Sequence, residues 1–474
     1  MESGTCKYVL AGSRQKVVLL FVFNRYRSFV FCLFLLHAGG AYAAEKNIPF
    51  WESQLEDDSE VTLAVGTALP GNIQLYNPLT LREAESLALK SDLLTKKFDL
   101  ESIALKERGI AVGSLPDPKL KLGIVNIATD TLDLEQEAMT QQVIGLQQVF
   151  PPSGLLDSQR EQINLMGAAK RHEAINQKQE VLRNVRQAWL NVYLQHHTGN
   201  IIKQTDELFT QLVKITKSQY RSGRGNQQNV VRAQLERSLL KDRAIKIKAL
   251  KEGALAELGK WVGVAQFNRP LSLSTLVIPE LADRNALVSS LEKHPSLQAS
   301  VADANAAKAE INVAKSRYRP SWLVDFSVGR READPAGDQR ADLMSLVFVV
   351  DIPLFTSNRQ DKWVAAREKD YSSARHSTAE QKKNLQRTLD AEYSNWLRLN
   401  ERLQHYRETV LPQANQNAKA ALNAYRSQAT EFDALMRARL MELDIQLQAI
   451  QLFVDWTQAQ VNLLYLTGGV GHET

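Results

Sequence analysis

The sequence predicts a mainly α-helical chain with a small β part, in which a unit of long helix, β-hairpin and long helix is used twice. Three observations predict it. Tyr220-Arg221-Ser222 recurs 205 positions on as Tyr425-Arg426-Ser427, and the same offset aligns Arg232-Ala233 with Arg437-Ala438, Leu235 with Leu440 and Gly263 with Gly468. Self-similarity at a fixed period sets an architecture before any local motif is read. Long stretches free of proline, above all Leu155 to Arg269, carry apolar residues at helical spacing, and four short runs alternate with the period of a strand.

The N-terminus reads separately. A basic stretch (Lys7, Arg14, Lys16, Arg25, Arg27), an apolar run from Phe29 to Leu36 and Ala41-Tyr42-Ala43 before Ala44 make residues 1–43 a signal peptide with a small-residue cleavage site. The alternative, an N-terminal anchor, has to overcome an apolar run well short of the ~20 residues a spanning helix needs. Removing the segment takes five Lys/Arg and one Glu from the formal +5, leaving +1, so the basic balance gives no reason to expect a nucleic-acid partner. Cys6 and Cys32 leave with it, and the mature chain then has neither disulfide nor thiolate ligand. Cys32 lacks the small residues that should precede a lipidation site. No later run of ~18 uncharged apolar residues is present, so an exported chain is left with periplasm, medium or an outer-membrane barrel.

Residues 44–78, broken by Pro49, Pro70 and Pro78, read as an extended N-terminal arm. The first repeat, 79–269, opens with a helix from Leu79 to Ser114 bearing Leu81, Ala84, Leu87 and Ala88 at helical spacing, with Thr80 and Glu83 placed as a capping box. Pro116-Asp117-Pro118 ends it. Strands follow near 118–126, where Leu120, Leu122 and Ile124 alternate with Lys119, Lys121 and Gly123, and near 142–150, stopped by Pro151-Pro152. An acidic loop (Asp130, Asp133, Glu135, Glu137) separates them. The helix from Leu155 would exceed about 150 Å as a single rod, so it must reverse. Ser222 to Asn226, with Gly223 and Gly225, is the expected turn, giving a helical tip near 222–229. Heptad-like positions Ile247, Leu250, Ala254 and Leu258 follow.

The second repeat, 270–468, has the same order. A helix runs from Asn285 to Arg319, and strands lie near 321–329 and 343–352, separated by a polar loop holding Asp334 and Asp338. A long helix resumes near Ser357 with Pro412 its only proline, and a second tip lies near 427–433. The last stretch carries a seam at Leu440, Leu443, Leu447, Ile450, Val454, Thr457, Val461 and Leu464. Residues 469–474 are a C-terminal tail.

Each strand is about the 9–11 residues of a tilted membrane-spanning strand. Four strands cannot close a barrel, and an open sheet in lipid leaves backbone groups unpaired. Three chains giving four strands each would close a 12-stranded β-barrel, with their helices continuing below as a trimeric α-helical barrel. Trp322, Val324, Phe326 and Val328 would then face lipid, leaving Asp325 and Ser327 to the lumen. The second strand does not declare its faces. Two soluble hairpins packed on helices is the alternative.

Leu79-Thr80-Leu81-Arg82-Glu83-Ala84, Tyr220 to Gly223 with Asn229 to Leu235, Tyr425 with Phe432 to Ala438, and Leu463 to Gly468 stand in order over nearly the whole mature chain. They resemble the opening helix, the two helix-tip motifs and the closing segment of the TolC family of outer-membrane efflux channels. The resemblance implies a homotrimer whose β-barrel sits in the outer membrane and whose α-barrel crosses the periplasm. It implies partners too: a periplasmic adaptor (membrane fusion) protein docked at the tip, and an inner-membrane pump. Both chain reversals, near Gly223 and Ala429, would lie where the tube narrows. An acidic ring helps close that pore in the family. Asp433 matches its first position, Met436 stands at the second, and Glu431 offers a partial substitute. Such carboxylates around a narrow axis would raise one another's pKa and attract cations, while Arg232 and Arg437 would tie the tips by charge-assisted bonds. Gly223, Gly225, Tyr220 and Tyr425 are expected to form the tip turns and the adaptor-docking surface, both tyrosines as packing residues. Gln428-Ala429-Thr430 replaces the glycines in the second tip, leaving its geometry open.

Catalytic patterns are missing. His172-Glu173 begins a zinc-protease motif, but Asn176 stands where the second histidine belongs. His196 and His197 are adjacent and point to different helix faces. Neither a nucleophile elbow nor a phosphate loop is present. The chain is therefore read as a non-enzyme without cofactor or metal site, acting as a passive exit duct. A periplasmic coiled-coil adaptor or structural protein is the alternative, and it gives no reason for proline-bounded strands. Leu115 to Lys119, Glu137 to Gln142 and Phe150 to Gly154 resemble the family members that accompany heavy-metal exporters.

Overall fold

The computed structural model describes residues 77–263, 269–273 and 276–468. The signal peptide expected at 1–43, the arm at 44–78 except its last two residues, and the tail at 469–474 lie outside the described residues.

The opening helix is two helices, α1 (Leu81–Ser91) and α2 (Leu93–Val112). Thr80 caps α1 as expected, its hydroxyl accepting from the Glu83 N–H at 3.2 Å. Asp92 breaks the expected single helix: its own N–H still bonds Ala88 O, while its carboxylate accepts from the Thr95 N–H at 2.7 Å and starts α2. Glu83 faces the Thr80 backbone N–H as a capping box requires, but its strongest partner lies elsewhere. Its carboxylate accepts from Arg269 at 2.7 Å, and the guanidinium holds it below the usual carboxylate range. Arg269 also donates to Asn77 O, and Leu79 pairs with the segment around Leu271, so the start of the first repeat is tied to its end.

Strands β1 (Lys119–Val125) and β2 (Gln141–Phe150) precede α3 (Leu155–Arg221), a single helix of 67 residues spanning about 100 Å. After the first tip, α4 (Gln227–Val262) returns along it. The second repeat gives α5 (Arg284–Ser290), α6 (Pro295–Ser316), β3 (Ser321–Arg330), β4 (Leu343–Asp351), α7 (Gln360–His405), α8 (Leu411–Arg426) and α9 (Phe432–Leu466). The helix expected from Asn285 to Arg319 is broken at His294, the position 202 residues beyond Asp92, and His294 likewise accepts from a first-turn N–H, that of Ser296.

From Gln360 to Arg426 the second repeat has the same length as α3, but its path is interrupted by a π turn at Tyr406–Val410. Pro412 is the cause: it has no N–H for the fourth residue back, and its ring would clash with that carbonyl, so the ladder widens by one residue. The corresponding position in α3 is Glu207, which imposes nothing. Offsets between repeats are 205 at these helices and 202 at the strands; the three extra residues lie between Pro353 and α7.

α3 is the spine. Its stretch from Val181 to Leu194 is buried against Leu81, Ala84 and Ala88 of α1, Leu258 and Val262 of α4, and Ile450, Val454 and Val461 of α9. Within this apolar layer Arg186 is buried and reaches Glu85 at 2.6 Å. The expected α9 seam is only part of what that helix buries. Leu452, Ala459, Leu463 and Leu466 form a second stripe against α7 and the α5–α6 turn. Leu250, expected in the α4 seam, is exposed.

All four strands form one antiparallel sheet in the order β1-β2-β3-β4, joined across the repeats by β2 and β3. The register settles the faces of β2. Leu120 lies opposite Leu146, Leu146 opposite Phe326, and Phe326 opposite Leu346. Leu122, Ile144, Val328 and Met344 form the next row of the same face. All eight are exposed. The other face carries Lys121, Gly145, Ser327 and Ser345 in one row. A Cβ at Gly145 would lie 2.7 Å from that of Ser327, where opposed residues normally stand about 4.5–5.5 Å apart. The strands therefore crowd together on the polar face, which is the concave one.

Two buried histidines give the fold a pH dependence. His197 stacks on Tyr193 at 4.2 Å and His294, fully buried, meets the edge of Tyr465 at 5.1 Å. Burial lowers each from an ordinary 6.5 to about 4. The unfolded chain takes up protons that the folded chain refuses, so this stability is complete above 6.5 and is lost as pH falls toward about 4. Thermal unfolding in detergent should show the midpoint falling across that window, and His294→Asn should flatten the slope. An unchanged slope would exclude His294 from the effect.

Candidate functional site

The two tips share one backbone solution despite their different residues. In the first, Ser222 N–H bonds Ser218 O, Gly223 N–H bonds Tyr220 O and Arg224 N–H bonds Gln219 O; in the second, Ser427, Gln428 and Ala429 bond Asn423, Tyr425 and Ala424 at the same spacings. Both are helix ends closed by a residue in the left-handed region, Gly223 at φ 73° and Gln428 at φ 60°. The glycine is therefore not what makes the turn. It makes the turn cheap, because a side chain costs on the order of 1 kcal/mol in that conformation. Gly225 serves by closeness: a Cβ there would lie 3.3 Å from that of Gln219.

The next helices start differently. Asn226 caps α4 by accepting from the Asn229 N–H at 2.9 Å. Glu431 holds the equivalent position before α9 without a side-chain cap bond and stays exposed at the positive end of the helix dipole.

Phe209, Leu212 and Val213 of α3, Ala233 and Leu240 of α4, Tyr425 of α8, and Phe432, Leu435, Met436 and Leu443 of α9 form one core between the tips. Met436, at the second position expected of the acidic pair, is wholly buried there. Each such side chain contributes about 1.5–3 kcal/mol by leaving water, so this core holds the tip together. Two polar contacts cross between the repeats beside it: the Tyr425 hydroxyl donates to Gln219, and Arg232 pairs with Asp433. Both members of that ion pair are over a third exposed, and such a pair is worth only about 0.2–1 kcal/mol.

The expected site residues thus separate. Arg232 and Asp433 meet. Arg437 and Glu431 are exposed, and neither forms an ion pair among the described residues. Tyr425 is 6% exposed and packs against Phe432 at 5.5 Å, with burial raising its hydroxyl pKa. That placement corrects the expectation that it contributes docking surface. Tyr220, expected to pack, is 49% exposed. Sequence reading missed Gln219, whose counterpart in the second tip is Ala424, and it missed that Val231 and Leu235 lie exposed along α4 in a groove with Gln227, Gln228, Arg232 and Glu236. Their four-residue spacing was the available signal.

Elsewhere, His196 sits 3.3 Å from Lys251 Nζ, a poor setting for a cation. Among the described residues no three His, Cys, Asp or Glu side chains group as metal ligands, and no helix is long and apolar enough to cross a membrane.

Left-handed backbone at both tips makes opposite substitutions informative. Gly223→Ala should destabilise the first tip by about 1 kcal/mol, and Gln428→Gly should stabilise the second by about 0.5 kcal/mol. Amide exchange at residues 215–230 and 420–435 should quicken in the first variant and slow in the second; equal exchange in all three proteins would refute the turn assignment.

Residues 286–469 match a protein-family model described as outer membrane efflux protein. No curated protein sequence matches the chain. Among solved structures, crystal structures of CusC superpose with a TM-score of 0.70 at 15% identity, covering 85% of this chain and 97% of that one. VceC, an outer membrane protein of Vibrio cholerae, gives 0.67 at 15% identity over 82% of this chain and 96% of that one. The open state of the MtrE outer membrane channel of Neisseria gonorrhoeae gives 0.66 at 13% identity, covering 82% and 89%. Residues 286–469 thus resemble the outer membrane efflux protein family, and the described chain as a whole shares the TolC-like channel fold of these structures.

Proposed function

We propose that the protein is the exit duct of a tripartite efflux system, a passive channel rather than an enzyme, seated in the outer membrane and reaching through the periplasm. The observation that carries this is the sheet: four strands with two central rows of one face apolar and exposed, an opposite face holding Lys121, Asp325 and Ser327, and both edges, β1 and β4, unpaired in the chain. In lipid those edges must be closed. Closure comes from three copies, giving the 12-stranded barrel with the α3–α4 and α8–α9 hairpins continuing it as a helical tube. The family match and the structural likeness support the same reading. A coiled-coil adaptor leaves the apolar sheet face without a purpose.

Under this reading residues 1–43 are the export signal, and the tips are the periplasmic end where a periplasmic adaptor and, through it, an inner-membrane pump engage. Tyr220 and the exposed α4 residues Val231 and Leu235 are the proposed docking surface, around turns set by Gly223 and Gly225. Arg232 and Asp433 form a weak latch holding the tip closed, with Glu431 and Arg437 as further charges at its rim. The cargo proposed is a heavy-metal cation, on the resemblance of the segments around Pro116, Met139 and Pro151.

Purified from outer membrane, the protein should run as a trimer and conduct ions in a planar bilayer. A non-conducting monomer recovered in the soluble fraction would sink the proposal. Asp433→Ala, by freeing Arg232, should raise or destabilise conductance, and unchanged gating would remove the latch. A deletion strain should be sensitised to metal salts; sensitisation to drugs alone would redirect the cargo.

A further inference from the structure

The polar face of the sheet holds one ion pair that the channel reading does not use. Lys119, Gln147, Asp325 and Val347 lie side by side in one row of the register, with Lys121, Gly145, Ser327 and Ser345 in the next. Asp325 is 7% exposed. Its Oδ2 accepts from Lys121 Nζ at 3.2 Å and from Gln147 Nε2 at 3.0 Å, while its Oδ1 is buried without a partner. A carboxylate in that position is costly, and a hydrophobic strand would avoid it. The two charges are unequally placed. Lys121 is about half exposed on the concave face, and Asp325 lies beneath it.

We propose that Lys121 and Asp325 set the ion selectivity of the sheet portion of the duct, forming a belt of paired charges, beside Lys119, that lets solutes of either sign pass. The proposal rests on the channel reading, in which three copies place three such pairs around one lumen. With Lys121 lost, three carboxylates face the lumen without a counter-charge and attract cations. With Asp325 lost, Lys121 and Lys119 of each copy do the opposite.

Reversal potentials of single trimers under a KCl gradient test this at low ionic strength, where screening is weakest. Lys121→Gln should shift the permeability ratio about two- to fivefold toward cations, and Asp325→Asn by a similar factor toward anions. The double variant should return to the wild-type ratio, and Lys121→Arg should not depart from it. A merely structural pair would move trimer yield and leave reversal potentials alone. Lys121 is exposed enough to tolerate substitution, so its variant decides the matter even where Asp325→Asn fails to assemble. Unchanged reversal potential in a conducting Lys121→Gln trimer would overturn the inference and leave the channel reading standing. A wild-type protein without conductance would overturn both.

Discussion

Backbone hydrogen bonding at the edges of the sheet is the constraint on which the rest depends. β1 and β4 each present one unpaired row of N–H and C=O groups, and the face between them is covered by Leu120, Leu122, Ile144, Leu146, Phe326, Leu346 and Phe348. In water that face drives aggregation; in lipid it is stable, but only after both edges are paired. The same sheet must also curve. Gly145 opposite Ser327, on a concave face with Gly123 and Gly329, removes the side-chain bulk that would keep it flat. Apolar exterior, small concave face and two open edges together demand closure with further copies.

A closed sheet would fix the start of α3 and of α7, which follow β2 and β4. α3 begins five residues after β2 and runs 67 residues without interruption, so displacement at the sheet is carried along a rod of about 100 Å to the tip. No helix of that length holds itself straight, and α3 is supported in turn by α2 and α6, by α1, and by α4 and α9. Its counterpart in the second repeat has the same length from Gln360 to Arg426 but passes through the π turn before Pro412. The two hairpins thus arrive at one level with the same turn geometry, one on a continuous rod and one on a jointed one. Any change of tip position has its natural joint in the second.

Much of this was legible in the residues. Proline boundaries placed all four strands within a residue or two, because a proline ends a strand or helix whatever surrounds it. Fixed-period similarity placed both tips. Less legible were features decided by a partner distant in sequence. The faces of β2 stay ambiguous while Gln142 and Gln148 are read alone, and Phe326 and Val328 opposite Leu146 and Ile144 resolve them. Gln428 gives no hint of a left-handed backbone; only its equivalence to Gly223 does. Asp92 breaks the opening helix because its side chain caps a new one, a choice that periodicity does not register. Arg232 and Asp433 each stand out in the sequence, but their pairing requires two tips brought together from 201 positions apart. Tyr220 and Tyr425, identical in motif, diverge because Phe432 packs on one ring and, among the described residues, no ring packs on the other.

The duplication explains how the charges are arranged. Lys121 pairs with Asp325, Arg232 with Asp433 and Arg243 with Asp444, each joining a cation of the first repeat to an acid of the second. None is reproduced by its repeat-related positions, which hold Leu323 and Gly123, Arg437 and Gln228, and Gln448 and Leu239. Had the two copies kept the same charges, a ring of three chains would have six equivalent seams and six equal pairs. Divergence leaves three of one kind, and Arg437 keeps the charge of Arg232 while its would-be acid has become Gln228. A pair worth about 0.2–1 kcal/mol resists movement little when present three times and set beside a buried core such as Phe432, Leu435 and Met436. Burial therefore decides that the tip forms, and in the proposed ring of three chains the ion pairs would distinguish one set of seams from the other.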